Sequence, residues 1–376
     1  MTEQDIPKLI EHFADLPDPR HARGIRHHLI DIVCISILAV ICGANTYSQI
    51  QQYGQANEEW LRRFLRLPFG VPSQDTFERV FAILSPDAWQ GRFLAWTRTL
   101  VVPELPEGED EVLALDGKTA RGSKDLDGNA LHTVSVWSSQ FEVVFSQQQV
   151  PDKSNEITVM PELVEVINPA GAIITTDAMG TQKQLAWAAR EHHAHYLLAL
   201  KDNHPTLLED VSWAFDHEDE SGWKSKHSYC QTMDKAHGRE EVRECWVLPA
   251  PELLYQRESW RDLSSVVRVR SKRRVNGKVS EKTRYFLTSL AGGAERVLRA
   301  ARFHWGIENG LHWVLDVAFD EDRSRARLKN AQATWVALRH LAINLLKRDK
   351  TVKAGVEAKR LRAGWDRAYL LKLLNS

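Results

Sequence analysis

Cysteine is scarce. The chain of 376 residues holds four, Cys34, Cys42, Cys230 and Cys245, and no two form a CxxC pair. That excludes a disulfide framework and a Cys-rich zinc module, and makes a reducing cytoplasm the expected setting. Long apolar runs are also missing. The longest, Ile32 to Thr46, has 15 residues, whereas a bilayer span needs about 20. It reads as a buried helix, and no membrane association is expected. Met1-Thr2-Glu3-Gln4-Asp5 lacks the basic-then-apolar order of a secretory signal. Net charge is nearly absent too, at −1, so overall charge does not mark a polyanion binder. No internal repeat or low-complexity tract appears. With 43% hydrophobic and 26% charged residues, the composition is globular, and the length suggests about two or three domains.

The small net charge conceals segregation. From Val266 to Phe286 there are eight basic residues (Arg268, Arg270, Lys272, Arg273, Arg274, Lys278, Lys282 and Arg284) and one acid, Glu281. From Arg323 onward there are fourteen Lys/Arg and three acids. Acids cluster instead at Glu104–Glu111 and Glu209–Glu220. Separated positive patches are the electrostatic footprint of a nucleic-acid binder.

Residues 1–105 read as a helical domain. Phe77, Val80, Phe81 and Leu84 follow one helix face, with Ser73 as a candidate N-cap. The turn Gly70-Val71-Pro72-Ser73 leaves a helix-turn-helix open as an expectation. The acidic stretch Glu104–Asp110, with Pro106, reads as a linker. The pattern then changes. Val112–Leu115, Leu131–Trp137, Phe141–Val150, Ala172–Thr176 and Tyr196–Leu200 read as strands; Glu156–Ile167 and Gln182–His193 read as helices. The order β-β-β-α-β-α-β predicts an α/β fold with a mixed sheet. Residues 203–290 read as an insertion carrying a basic β-ribbon turned at Asn276-Gly277. Residues 326–376 read as a basic helical tail.

Asp116 and Asp177 each follow a short apolar strand. If those strands pair in parallel, both carboxylates emerge at the same sheet edge, where open α/β sheets place their sites. Close carboxylates repel unless a cation lies between them, and hard oxygen ligands suit magnesium or manganese. His304, Glu308 and His312 are spaced by four, which predicts one shared helix face. Glu308 is therefore a candidate third ligand; Asp316, Asp320, Glu321 and Asp322 are rivals, expected to pair with Arg323, Arg325 and Arg327. His304, Glu308 and His312 could alternatively hold zinc in a hydrolase.

The stretches LALDGKTARGS, DKSNEITVMPEL, ITTDAMGTQ, LALKDN, DKAHGREEVRE and HWGIENGLHWVLDVAFDEDRSRAR resemble the DDE-type insertion-sequence transposases, in the H-repeat-associated branch. DPRHARGIRHHLIDIVCISILAVICGANTYSQI and PSQDTFERVF resemble that branch's associated amino-terminal domain. The resemblance implies a ribonuclease-H-like catalytic domain over 110–325 with Asp116, Asp177 and Glu308 as the catalytic and metal-binding triad. It implies two Mg2+ ions (Mn2+ as substitute), DNA at transposon ends and targets as partner, and a homo-oligomer assembled on DNA. The chain would then be cytoplasmic and associated with the nucleoid when bound to DNA. The broader superfamily carries a Tyr-Arg-Glu-Lys signature; here Ala301, His304, Glu308 and Leu315 stand in its register, so only the glutamate matches. Phosphate gripping would then fall to Lys118, Arg302, His304 and His312, with Arg268, Arg270, Lys272, Arg273 and Arg274 on the ribbon and Trp305 stacking on an unpaired base. The reaction class implied is metal-dependent strand cleavage followed by strand transfer. A transposase-derived protein that binds DNA without cutting it is the remaining alternative.

Overall fold

The computed structural model describes residues 8–23, 25–100, 105–106, 108–124, 130–150, 155–236 and 238–375. Glu104 and Glu107 of the expected linker lie outside these residues.

The amino-terminal part is helical: α1 (Lys8–Glu11), α2 (Leu29–Ile41), α3 (Tyr47–Ala56), α4 (Glu58–Leu61), α5 (Gln74–Ile83) and α6 (Pro86–Leu100). α2 is apolar all round and therefore buried all round, as its sequence requires. Its one carboxylate, Asp31, is buried and accepts a hydrogen bond from the Leu67 backbone N–H at 3.1 Å. α5 buries Phe77, Val80 and Phe81. Its outer side mixes Gln74, Asp75, Glu78 and Arg79, without the surplus positive charge that reading DNA would need. Ser73 stands at the N-cap, but its hydroxyl meets that of Thr76 at 3.2 Å rather than a backbone N–H.

The middle of the chain is β1 (Val112–Thr119), β2 (His132–Ser138), β3 (Val143–Gln149), α7 (Glu156–Ile167), β4 (Ile173–Thr176), α8 (Lys183–Glu191) and β5 (His195–Leu200). There follow α9 (Pro205–Ser221) and four strands, β6 (Ser228–Ala236), β7 (Arg239–Pro249), β8 (Ser265–Val275) and β9 (Lys278–Thr288). The expected element order therefore holds. All nine strands form one sheet, in the order β3-β2-β1-β4-β5-β9-β8-β7-β6. β1, β4 and β5 are parallel; the other pairings are antiparallel. The insertion is thus no detached ribbon. Tyr285–Thr288 of β9 pair with Leu197–Leu200 of β5, and the long strands project beyond that junction.

The chain closes with α10 (Ala294–Ile307), α11 (Trp313–Ala318), α12 (Ala331–Arg348), α13 (Val356–Trp365) and α14 (Arg367–Leu374). Helices of the amino-terminal region and of the tail contribute to one buried cluster. It joins Ile35 and Leu38 of α2, Phe81 of α5, Trp137 of β2, Ile307 and Leu311, Trp335 and Leu341 of α12, and Leu370 of α14. A second cluster lies under the opposite sheet face, where Leu113 and Leu115 meet Val159 and Met160 of α7. Among the described residues, no helix is long and apolar enough to cross a membrane.

Candidate active site

Parallel pairing of β1 and β4 ends at Leu115 opposite Thr176. β1 continues to Thr119 beside β2 alone. Asp116 and Asp177 are the first residues past the shared ladder, on strands roughly 4.8 Å apart. Alternation along β1 sends Leu113 and Leu115 to the α7 face and Ala114 to the face of Ile307 and Leu311. Asp116 has the parity of Ala114 and points the same way.

Glu308 arrives from above. Between α10 and α11 the helix widens into a π-turn, Glu308–His312, a local unwinding common at functional sites. Two glycines let it descend. A Cβ on Gly306 would lie 2.6 Å from Ser139 Oγ, and one on Gly310 would lie 2.8 Å from Trp137 Cζ2. Any side chain at either position would lift the turn off β2 and carry Glu308 away from β1.

One ligand atom each from Asp116, Glu308 and His312 lie within 4.8 Å of one another. His312 Nδ1 is 3.5 Å from Asp116 Oδ2 and 3.8 Å from Glu308 Oε2. Its Nε2 is buried and has no hydrogen-bond partner among the described residues. Burial pushes Asp116 up to about 7; His312 opposes this shift, while Glu308 and Asp177 add to it. Glu308 is held below its ordinary value, first by the neighbouring His312 ring. Asp177 stands outside the close group. Its Oδ1 accepts hydrogen bonds from the Met179 and Gly180 N–H groups at 2.9 and 3.2 Å, which fixes the turn after β4. A buried carboxylate that resists ionisation, beside further acids and an imidazole with a free buried nitrogen, is a donor set that fits a divalent cation.

Of the expected trio His304, Glu308 and His312, only Glu308 and His312 join the close group. His304 turns to β4, where its Nδ1 is 3.1 Å from Thr175 Oγ1. Desolvation pushes its pKa down to about 4, so the ring is neutral and offers no charge to a phosphate. His312 is buried against Asp116 and is likewise no backbone contact. The convergent group contains Asp116 in place of His304, so the zinc trio is not assembled. Lys118 is also committed: its Nζ meets Asp316 at 2.7 Å and Glu321 at 3.3 Å. Of the four acids expected to pair with Arg323, Arg325 and Arg327, Asp320 lies 3.5 Å from Arg323, Asp316 and Glu321 meet Lys118, and Asp322 accepts from the Arg121 N–H.

The basic ribbon divides by face, because side chains on a strand alternate. Arg268 is 1% exposed. Its guanidinium donates to Asp219 at 2.7 and 2.9 Å and lies over the rings of Trp246 and Phe215. It is a structural cation, not a phosphate contact. Arg270 shares its face, near Asp219 and Trp246. Lys272 pairs with Glu281 at 2.8 Å. Arg274 is exposed on the same side. Arg273 alone of that group faces the opposite side, into a groove of about 580 Å³ between the ribbon and α10.

That groove is where the ribbon meets Glu308's helix. Arg243, Arg273, Lys282 and Arg284 line its floor; Arg302 and Trp305 line its wall. Arg302 pairs with Asp234 at 3.0 Å, an acid that also engages Arg243. Trp305 is 49% exposed, with the Arg284 guanidinium 5.1 Å from its ring centre. Trp305 is therefore surface, not core. Arg243 is a groove residue outside the counted basic stretch, and Lys282 and Arg284 lie within that stretch but not among its expected DNA contacts. The parity of β8 and β9 is the signal that selects the last two.

The family described as "Transposase DDE domain" matches residues 107–345, and the description "DDE_Tnp_1-associated" matches residues 10–97. YbfL of Escherichia coli K12 is 36% identical over 377 residues, covering 98% of both chains. YhhI of the same organism, an H repeat-associated protein named as a transposase, is 35% identical over 378 residues, again covering 98% of each. The solved synaptic complex of piggyBac transposase with hairpin DNA superposes with a TM-score of 0.40 and 12% identity, over 98% of this chain and 78% of that one. That likeness is too loose to bear on fold or function. The family match over most of the chain and the full-length relatives lead to one conclusion: the chain belongs to the DDE transposases, in their H-repeat-associated branch.

Proposed function

We propose that this transposase cuts DNA strands at the ends of an insertion element and joins the freed ends to target DNA, with Asp116, Asp177 and Glu308 as its acidic triad on a ribonuclease-H-like sheet. The observation that carries the proposal is the meeting of Asp116 and Glu308, remote in sequence, beside the end of the β1–β4 ladder that Asp177 also follows. The family match supports the same chemistry. These residues would hold divalent magnesium or manganese, which when bound supplies Lewis-acid activation of the attacking and leaving oxygens of an in-line phosphodiester displacement.

The chain's own part is placement. The π-turn and its two glycines set Glu308 over the strand ends. The turn after β4 fixes one oxygen of Asp177, leaving the other available. His312 shares its Nδ1 side between Asp116 and Glu308 and helps hold them together while no cation is bound. The groove lined by Arg273, Lys282, Arg284 and Trp305 adjoins Glu308 and would carry the DNA backbone towards it. Exposed Arg270, Lys272 and Arg274 remain candidates for contacts on the ribbon's other face.

The test is strand nicking of DNA carrying the element's own ends, with and without Mg2+. Asp116→Asn, Asp177→Asn and Glu308→Gln should each abolish nicking while DNA binding persists. Full cleavage by any one variant would remove that residue from the triad. Binding without any nicking by the unaltered protein would make it a DNA-binding relative that no longer cuts.

A further inference from the structure

We propose that the segment Arg323–Lys329, which leaves the 3-10 turn Glu321–Arg323 and ends in a turn at Lys329, is a fixed row of cations that grips the phosphates of DNA beside the acid cluster. This rests on the transposase reading but uses residues that reading leaves without a role.

Most of the tail's other positive charge is engaged within the fold. Arg339 is buried against Glu321 at 3.4 Å. Lys347 and Lys350 both meet Glu142. Lys359 and Arg360 are buried and donate to backbone carbonyls, including those of Leu346 and Val40. Lys372 pairs with Asp349 at 2.9 Å. These cations fasten helices together. Arg323, Arg325, Arg327 and Lys329 are exposed, with Ser324 and Ala326 buried between the arginines. Arg323 reaches Asp320 only at 3.5 Å, with its side chain 84% exposed. For Arg325, Arg327 and Lys329 there is no ion pair among the described residues.

The row is held in place. Ser324 Oγ donates to Gln332 Oε1 at 3.0 Å in the interior. Gly122 packs so tightly that a Cβ there would strike the carbonyl oxygens of Asp322 and Ser324. The Arg121 N–H donates to Asp322 Oδ1 at 3.3 Å. Like charges fixed in a line repel one another, and a polyanion relieves that cost. The spacing suits a charged backbone: from Arg323 to Arg327 alternate residues stand roughly 6.6 Å apart, close enough to meet neighbouring phosphates of one strand. The location suits it too. Glu321, just before the row, contacts Lys118, two residues beyond Asp116 and roughly 7 Å along the strand.

The experiment measures affinity of the full chain for a short linear DNA duplex of mixed sequence across a salt series in chelator, so that the acid cluster plays no part. Arg323→Gln/Arg325→Gln/Arg327→Gln should weaken binding and flatten the log–log salt slope by about 2.7, at about 0.9 per phosphate contact. The triple Lys variant, which keeps the charge, should retain the slope. Each single Gln variant should remove about 0.9, which keeps the test open should the triple variant fold poorly. An unchanged slope in the Gln variants, while the unaltered protein binds, overturns the row and leaves the transposase reading standing. Failure of the unaltered protein to bind any duplex overturns both.

Discussion

Replacing Asp116 with Asn should stabilise this protein, provided no divalent ion is present. Burial raises the Asp116 pKa from 3.8 to about 7. The unfolded chain gives up this proton near the ordinary value, whereas the folded chain holds it until near neutrality. The folded state's advantage is intact below about pH 4 and is lost as pH rises to about 7. Above that, ionised Asp116 costs the fold up to about 4 kcal/mol, at 1.36 kcal/mol per unit. Its side chain is 14% exposed, so solvent screening trims this figure only modestly. For 376 residues the unfolding entropy is roughly 0.8 kcal/mol per degree, which converts the cost to a shift of about 5 °C. Thermal melting in chelator should therefore show Asp116→Asn above the unaltered protein at about pH 8, and the two together near pH 4. Mn2+ or Mg2+ should reverse the order by raising the unaltered protein alone, and more strongly at higher pH, because the ligand must be deprotonated to bind. An Asn variant that melts lower in chelator at the higher pH would refute the reasoning. It would mean that contact with His312, not burial, governs this carboxylate.

Two further outcomes follow from packing. Gly310→Ala puts a methyl against Trp137 and should lower metal-dependent nicking at least about tenfold, for strain of about 1–3 kcal/mol, while far-ultraviolet circular dichroism is unchanged; nicking at the normal rate would show that Glu308 does not depend on this close approach. Arg268→Ala should cost about 2–4 kcal/mol of stability by denaturant titration, from lost aromatic packing and an unpaired Asp219, yet leave the salt slope of DNA binding untouched; a flattened slope would return Arg268 to the DNA interface.

Much of this architecture is legible from residue pattern. Apolar runs ending at Asp116 and Asp177 announce parallel strands and a shared edge, because only five strands and two helices in that order need to be arranged. The all-apolar stretch from Ile32 announces a buried helix for the same reason. What escapes the pattern depends on partners distant in the chain. The π-turn at Glu308–His312 inserts a residue that no 3.6-residue period foresees. Gly306 and Gly310 acquire meaning only against Trp137 and Ser139, more than a hundred residues earlier. The tail's charge looks free along the sequence, yet Arg339 and Lys347 are spent on Glu321 and Glu142. The division of the ribbon is different. Arg268, Arg270, Lys272 and Arg274 share a parity that Arg273 does not, so strand alternation alone separates them.

The most direct measurement is anomalous diffraction from crystals soaked in Mn2+. The account predicts a manganese peak bound by Asp116 and Glu308 at the end of the β1–β4 ladder, with Asp177 at its edge, and loss of that peak in Glu308→Gln. A well-ordered site that holds no manganese, or manganese bound without Asp116 and Glu308, would contradict it.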